Sequence, residues 1–131
     1  MSYLFDSSAI FKAVRENAVE ILVGGYTIEL ARYELGNVLW KECSLREKIS
    51  SGELKKLAKI IKETLNLLEM LEASCHEEEI LDLARRLRLT FYDATYAYFA
   101  RKKKLLLVTE DLTLLSKVKP YIKVSKLGDV V

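Results

Sequence analysis

The chain is poor in the residues that mark specialised classes of protein. Among its 131 residues there are two cysteines, Cys43 and Cys75, which form no Cys-x-x-Cys pair, and one histidine, His76. These cannot complete a zinc set, so reduced thiols in a cytosolic protein are the expectation, with no bridge required. One proline and five glycines exclude a flexible Pro/Gly-rich linker. No stretch reaches the roughly 18 uninterrupted apolar residues of a membrane span. The start of the chain lacks the basic flank and long apolar core of a signal peptide, and a cytoplasmic location is expected. Glutamine is absent and asparagine occurs three times, while Lys and Glu abound; hyperthermophile proteins share that bias. The net charge of +2 is too small to argue for nucleic acid, so any basic footprint must come from local clustering.

What is present is a globular balance: 50% hydrophobic and 31% charged residues, outside the composition of disordered chains. The length suits one domain, taken as 1–131, burying about two thirds of its unfolded surface. Apolar runs at Ser2–Phe5, Tyr26–Ile28, Leu105–Val108 and Tyr121–Val124 read as strands. Ser7 and Ser8 offer N-caps to a helix running to about Arg15. After the break at Gly24-Gly25 and the second strand, a helix runs from about Glu29 to Cys43. Ser50-Ser51-Gly52 breaks the chain again before a long helix from Glu53 to about Leu71. Leu54, Leu57, Ala58, Ile61, Leu65 and Leu68 form its main apolar stripe, and Ile60, Leu67 and Leu71 a second. Ser74-x-x-Glu77 reads as a capping box opening a helix to about Leu87. Further helices span Tyr92 to about Lys103 and Leu112 to about Lys117, where Pro120 ends the last. Unalternated apolar strands separated by helices predict an α/β fold with a mainly parallel sheet covered on both faces. Such sheets bind ligands beyond the carboxyl ends of their strands.

Four carboxylates stand where a core should reject them: Asp6 ending the first strand, Glu34 inside an apolar helix, Asp93 in Thr90-Phe91-Tyr92-Asp93-Ala94-Thr95-Tyr96, and Asp111 just past the Leu105–Val108 strand. An ionised carboxylate near a core is costly unless its charge is compensated. Several converging acids are most readily compensated by a hard cation with oxygen ligands, Mg²⁺ or Mn²⁺. Each has a plainer explanation. Asp6 and Asp111 could cap helices, and Thr90-x-x-Asp93 fits a capping box. At about 100° per residue Glu34 lies about 40° from Val38 and about 60° from Ala31, on the core side, with Asn37 and Lys41 keeping that edge polar. Asp6, Asp93 and Asp111 fall on the same rim of the expected sheet.

The basic clusters Arg85-Arg86-x-Arg88 and Arg101-Lys102-Lys103-Lys104 lie near helix ends, where the dipole and solvent favour cations. That accounts for most of their placement, with a phosphate-contacting flank as the alternative. Tyr92, Tyr96 and Tyr98 suit packing better than base stacking, and His76 is expected to be inert. A receiver-like phosphorylation domain would also gather acids at strand ends, but Lys117 and Lys119 are poorly placed for its lysine.

The first strand with Asp6-Ser7-Ser8, Glu34 followed by Asn37, Tyr92-Asp93-Ala94 before an aromatic-rich helix, and Leu107-Val108-Thr109-x-Asp111 together resemble the PIN domain, in the form found in VapC toxins of VapBC toxin–antitoxin pairs. The resemblance covers nearly the whole chain, and the ordered set of four acids carries it. It implies a three-layer α/β/α sandwich and a Mg²⁺- or Mn²⁺-dependent endoribonuclease. Asp6, Glu34, Asp93 and Asp111 match the family's acidic quartet, and Thr109 matches a hydroxyl position beside it, with Ser7 and Asn37 as supporting polar groups. It also implies an RNA substrate, a homodimer and a cognate antitoxin over the cleft. A related RNA-processing nuclease, or a non-catalytic PIN scaffold binding RNA or a partner, is the alternative.

Overall fold

The computed structural model describes residues 2–131. Five strands, β1 (Tyr3–Phe5), β2 (Tyr26–Ile28), β3 (Glu69–Leu71), β4 (Leu106–Val108) and β5 (Val124–Ser125), form one sheet in the order β3-β2-β1-β4-β5. Every pairing is parallel. The helices are α1 (Ser7–Arg15), α2 (Leu30–Trp40), α3 (Ser51–Leu65), α4 (Glu77–Leu87), α5 (Phe91–Lys102) and α6 (Leu112–Val118). No helix is long and apolar enough to cross a membrane among the described residues.

The strands are buried on both faces because successive side chains point opposite ways. On β1, Leu4 packs with Ile80, Tyr96, Phe99 and Leu114, whereas Phe5 packs with Ile10, Leu35, Ile61 and Leu65. β4 repeats the division with Leu107 and Val108. Each such side chain contributes about 1.5–3 kcal/mol by leaving water. Two helical layers thus clamp the sheet, the α/β sandwich expected from the sequence. The chain steps from β1 out to β2 and β3, then returns to place β4 on the other side of β1. Between β1 and β4 the winding reverses, so the connections leaving their carboxyl ends run to opposite sides, which in parallel sheets opens a ligand crevice.

Three expectations about elements are corrected. The long helix does not reach Leu71: Ser50 caps it in a complete capping box with Glu53, it ends at Leu65, and Glu69–Leu71 forms β3. Leu68 fits the helical stripe, yet Met70 and Leu71 divide between the two cores as a strand requires. Register against β2 (Thr27 with Met70, Ile28 with Leu71) decides the matter through contacts remote in sequence. The capping box at Ser74-x-x-Glu77 does not form; His76 precedes α4 without a side-chain cap, and the acids Glu77, Glu78 and Glu79 serve the helix start through its dipole. The last strand lies at Val124–Ser125 rather than Tyr121–Val124, because Pro120 is followed by a turn in which Tyr121 and Ile122 N–H groups still bond to Val118. Cys43 and Cys75 are both free.

Gly25, entering β2, lies against the Phe5 ring: a Cβ there would sit 2.6 Å from Phe5 Cε2 and 3.1 Å from the Leu22 carbonyl oxygen. Gly36, on the exposed side of α2, has open space. Gly25→Ala should therefore destabilise the fold by about 1–3 kcal/mol, while Gly36→Ala should be neutral or stabilise by up to about 1 kcal/mol. Urea unfolding midpoints measure both; equal midpoints would show that the Phe5 ring yields freely.

Candidate active site

Asp6 stands one residue past β1 and caps α1. Its Oδ1 accepts the Ala9 N–H at 3.0 Å and the Ser8 hydroxyl at 2.6 Å. Its Oδ2 accepts the hydroxyl of Thr109, which lies one residue past β4. Asp6 is 5% exposed and Thr109 fully buried. Three of the roughly four lone-pair positions of the carboxylate are filled, leaving one on Oδ2. All three donors are neutral. Burial pushes the Asp6 carboxyl above its ordinary range, the Ser8, Thr109 and Ala9 bonds pull it back only in part, and the charge of Asp111 adds to the rise.

The hydroxyl of Thr109 also accepts the Asp111 N–H at 3.0 Å, and that of Ser8 accepts the Glu110 N–H at 2.9 Å. The two hydroxyls therefore pin the loop after β4 to the start of α1. Asp111 is exposed and caps α6, accepting the Thr113 and Leu114 N–H groups on Oδ1 alone. Asp93 occupies the first turn of α5; its backbone N–H donates to Thr90 Oγ1 at 3.1 Å. Partial burial, then repulsion from Asp111, raise its carboxyl, and Lys117 opposes the rise. Lys117, set apart from the site on sequence grounds, thus reaches its edge, where its ammonium donates to the Arg88 carbonyl.

Glu34 projects from α2 and accepts the hydroxyl of Tyr96 on Oε1 at 3.0 Å. Partial burial raises its carboxyl, the Tyr96 and Ser7 side chains lower it, and the charges of Asp6 and Asp93 raise it further. The four acids are thus linked in a ring of repulsion: Asp111 acts on Asp6 and Asp93, and both of these act on Glu34. None of them joins an ion pair among the described residues. Glu110, beside Asp111, is treated in the opposite way. Burial would raise its carboxyl, but the Leu127 N–H and the Lys12 ammonium, 3.0 Å away, outweigh it and hold it low. The fold neutralises the neighbouring acid and leaves the quartet uncompensated.

The quartet is not a ready-made cage, since no three acidic, His or Cys side chains among the described residues converge closely enough to hold a metal ion. An all-oxygen donor set with surplus negative charge still fits Mg²⁺, which keeps several waters and needs only one or two carboxylates besides substrate phosphate. The single histidine lies elsewhere, its Nδ1 2.9 Å from the Tyr98 hydroxyl. Asn37 is exposed a turn beyond Glu34 and bonds to none of the acids. Ser8 and Tyr96 bond to Asp6 and Glu34, contacts that sequence reasoning did not foresee: it took Ser8 for a cap, a place held by Asp6, and Tyr96 for packing, although Tyr96 carries a signal, standing three residues after Asp93 on the same helical face. Arg101 and Lys102 close the far end of α5, on the order of 12–14 Å along the axis from Asp93, so they do not flank the acids.

A family model for the PIN domain matches residues 1–119, and this chain belongs to the PIN-domain family. It is 36% identical over 129 residues to the protein named Exonuclease VapC9 of Pyrobaculum aerophilum, a match covering 97% of this chain and 93% of that one. Its fold is similar to the crystal structure of PAE2754 from the same organism, with a TM-score of 0.83, 31% identity, and coverage of 99% of this chain and 93% of the other. The resemblance to VapC-type PIN proteins and the α/β architecture read from the sequence are borne out.

Because Asp6, Glu34 and Asp93 are raised, the folded state retains protons that the unfolded chain has released. Their contribution to stability is therefore largest at low pH and is lost as pH rises from the ordinary carboxylate range through the folded values. Without divalent ions, Asp6→Asn should match or exceed the wild type in stability at pH 7, the gap closing towards about pH 4. A variant less stable than wild type at pH 7 in urea titrations would show that the Asp6 charge is already balanced within the protein.

Proposed function

We propose that this chain is a divalent-metal-dependent endoribonuclease of VapC type, the toxin of a toxin–antitoxin pair, built as a single domain over 1–131. Membership of the PIN-domain family and the name of the VapC9 relative support a nuclease. The observation that supports the metal dependence is the electrostatic imbalance of the quartet: four acids joined by repulsion from one to the next, three raised in pKa, none ion-paired.

In this reading Asp6, Glu34, Asp93 and Asp111 retain one or two Mg²⁺ or Mn²⁺ ions. A bound ion of this kind lowers the pKa of a coordinated water and offsets negative charge on phosphate oxygens. The chain's own part is positional. Ser8, from α1, and Thr109, from the loop after β4, fix both oxygens of Asp6, so the free lone pair on Oδ2 keeps a defined direction. The capping role of Asp111 occupies Oδ1 and leaves Oδ2 unused by the helix. Thr90 caps α5 by accepting the Asp93 N–H, and the Asp93 carboxylate makes no return bond to the Thr90 N–H, which leaves both its oxygens outside the cap. No side-chain base is required. A homodimer and an antitoxin covering the acids are part of the proposal; the exposed Tyr33, Trp40, Tyr92 and Leu112 supply apolar area for protein contact.

A non-catalytic PIN scaffold is the second reading, favoured by the absence of three converging ligands among the described residues. One experiment separates the two. Linear and circularised RNA should both be cut in Mg²⁺ and spared in EDTA, and single-stranded DNA should survive. Asp6→Asn and Asp93→Asn should abolish cutting while unfolding at temperatures near that of the wild type. Cleavage of linear RNA alone would make the enzyme an exonuclease, and undiminished cleavage by both variants would remove the quartet from the chemistry.

A further inference from the structure

We infer that Tyr96 is a positioning residue for Glu34, locking α2 and α5 together at the acidic site; the inference rests on the metal-binding reading of that site. Tyr96 is 1% exposed and packs in the core between the sheet and α4. A buried phenol must place its hydroxyl on a partner. Many such hydroxyls end on a backbone carbonyl. This one donates to Glu34 Oε1 at 3.0 Å, across 62 positions of sequence, and the Ser7 backbone N–H faces the Tyr96 hydroxyl oxygen itself. The Tyr96 hydroxyl thus links three elements of the site: α1, which begins after Asp6, α2, which bears Glu34, and α5, which bears Asp93 one turn earlier.

The consequence is geometric. Glu34 carries a long side chain on a helix, its carboxylate met by the Tyr96 hydroxyl and by the Ser7 side chain, and repulsion from Asp6 and Asp93 favours turning it outward to solvent. The Tyr96 hydroxyl resists that rotation and holds Oε1 inward while leaving Oε2 unclaimed by Tyr96. Phenylalanine would fill the same core volume without this restraint. The arrangement parallels the outer partner of a metal-ligating carboxylate, whose loss weakens metal affinity by about 10–100-fold.

The test is calorimetric titration of Mn²⁺ into the intact chain. Tyr96→Phe should bind Mn²⁺ about 10–100-fold more weakly with a melting temperature within a few degrees of wild type. Tyr98→Phe, which removes a comparable hydroxyl bond to Glu79 on the same helix, should leave Mn²⁺ binding unchanged. In a Glu34→Gln background Tyr96→Phe should add no further loss. Wild-type affinity in Tyr96→Phe, an equal loss with Glu34 already replaced, or failure of Tyr96→Phe to fold would each overturn the role of Tyr96 and leave the metal reading intact. A wild-type chain that binds no Mn²⁺ would overturn both.

Discussion

A carboxylate buried where β1 and β4 run side by side is the constraint on which the rest of this structure depends. Asp6 cannot move outward, because it caps α1, and it cannot be neutralised by a neighbour, because its donors are two hydroxyls and an amide. Hydrogen bonds from neutral groups reduce the cost of an ionised buried acid without removing it. Adding Asp111, Glu34 and Asp93 within electrostatic range raises that cost further. A fold selected for stability alone would have closed this crevice with apolar side chains. The open electrostatic account at the switch point of a parallel sheet is what ties the architecture to ligand chemistry.

The site is held by restraints that come from different parts of the chain. Ser8 and Thr109 join the ends of the two central strands, and Tyr96 joins two helices that pack on opposite faces of the sheet. The Lys12–Glu110 pair, with Glu110 also taking the Leu127 N–H, fastens the loop after β4 to α1 and to the C-terminal turn. That pair is partly exposed and worth little as an isolated surface contact; its value lies in fixing the loop that presents Asp111. The contrast between Glu110 and Asp111 is informative because the two are adjacent. One acid is matched by a cation and serves the fold, and the other is left unmatched at the rim.

Much of this was legible in the sequence, for physical reasons that can be named. Leu4-Phe5 and Leu107-Val108 announce strands buried on both faces, and the acids that follow them announce the rim. The core-facing angle of Glu34 was readable from the period of α2. β3 was not, because Leu68 and Leu71 continue the helical stripes as well as a strand would, and only pairing with β2 distinguishes them. The Ser74 capping motif misled because local spacing says nothing of the left-handed Cys75 backbone that intervenes. Tyr96 was read as packing, correctly for its ring; the destination of its hydroxyl depends on two helices meeting, a fact held only in the fold. The proximity of Lys117 to Asp93 is hidden for the same reason.

The central claim is that surplus negative charge at the β1–β4 crevice is answered by a divalent cation. Anomalous diffraction from crystals soaked in Mn²⁺ tests it most directly. The account predicts a manganese peak in contact with Asp6 Oδ2 and at least one of Asp93, Asp111 or Glu34. A well-diffracting soaked crystal with manganese bound elsewhere, or with none in that crevice, would contradict it.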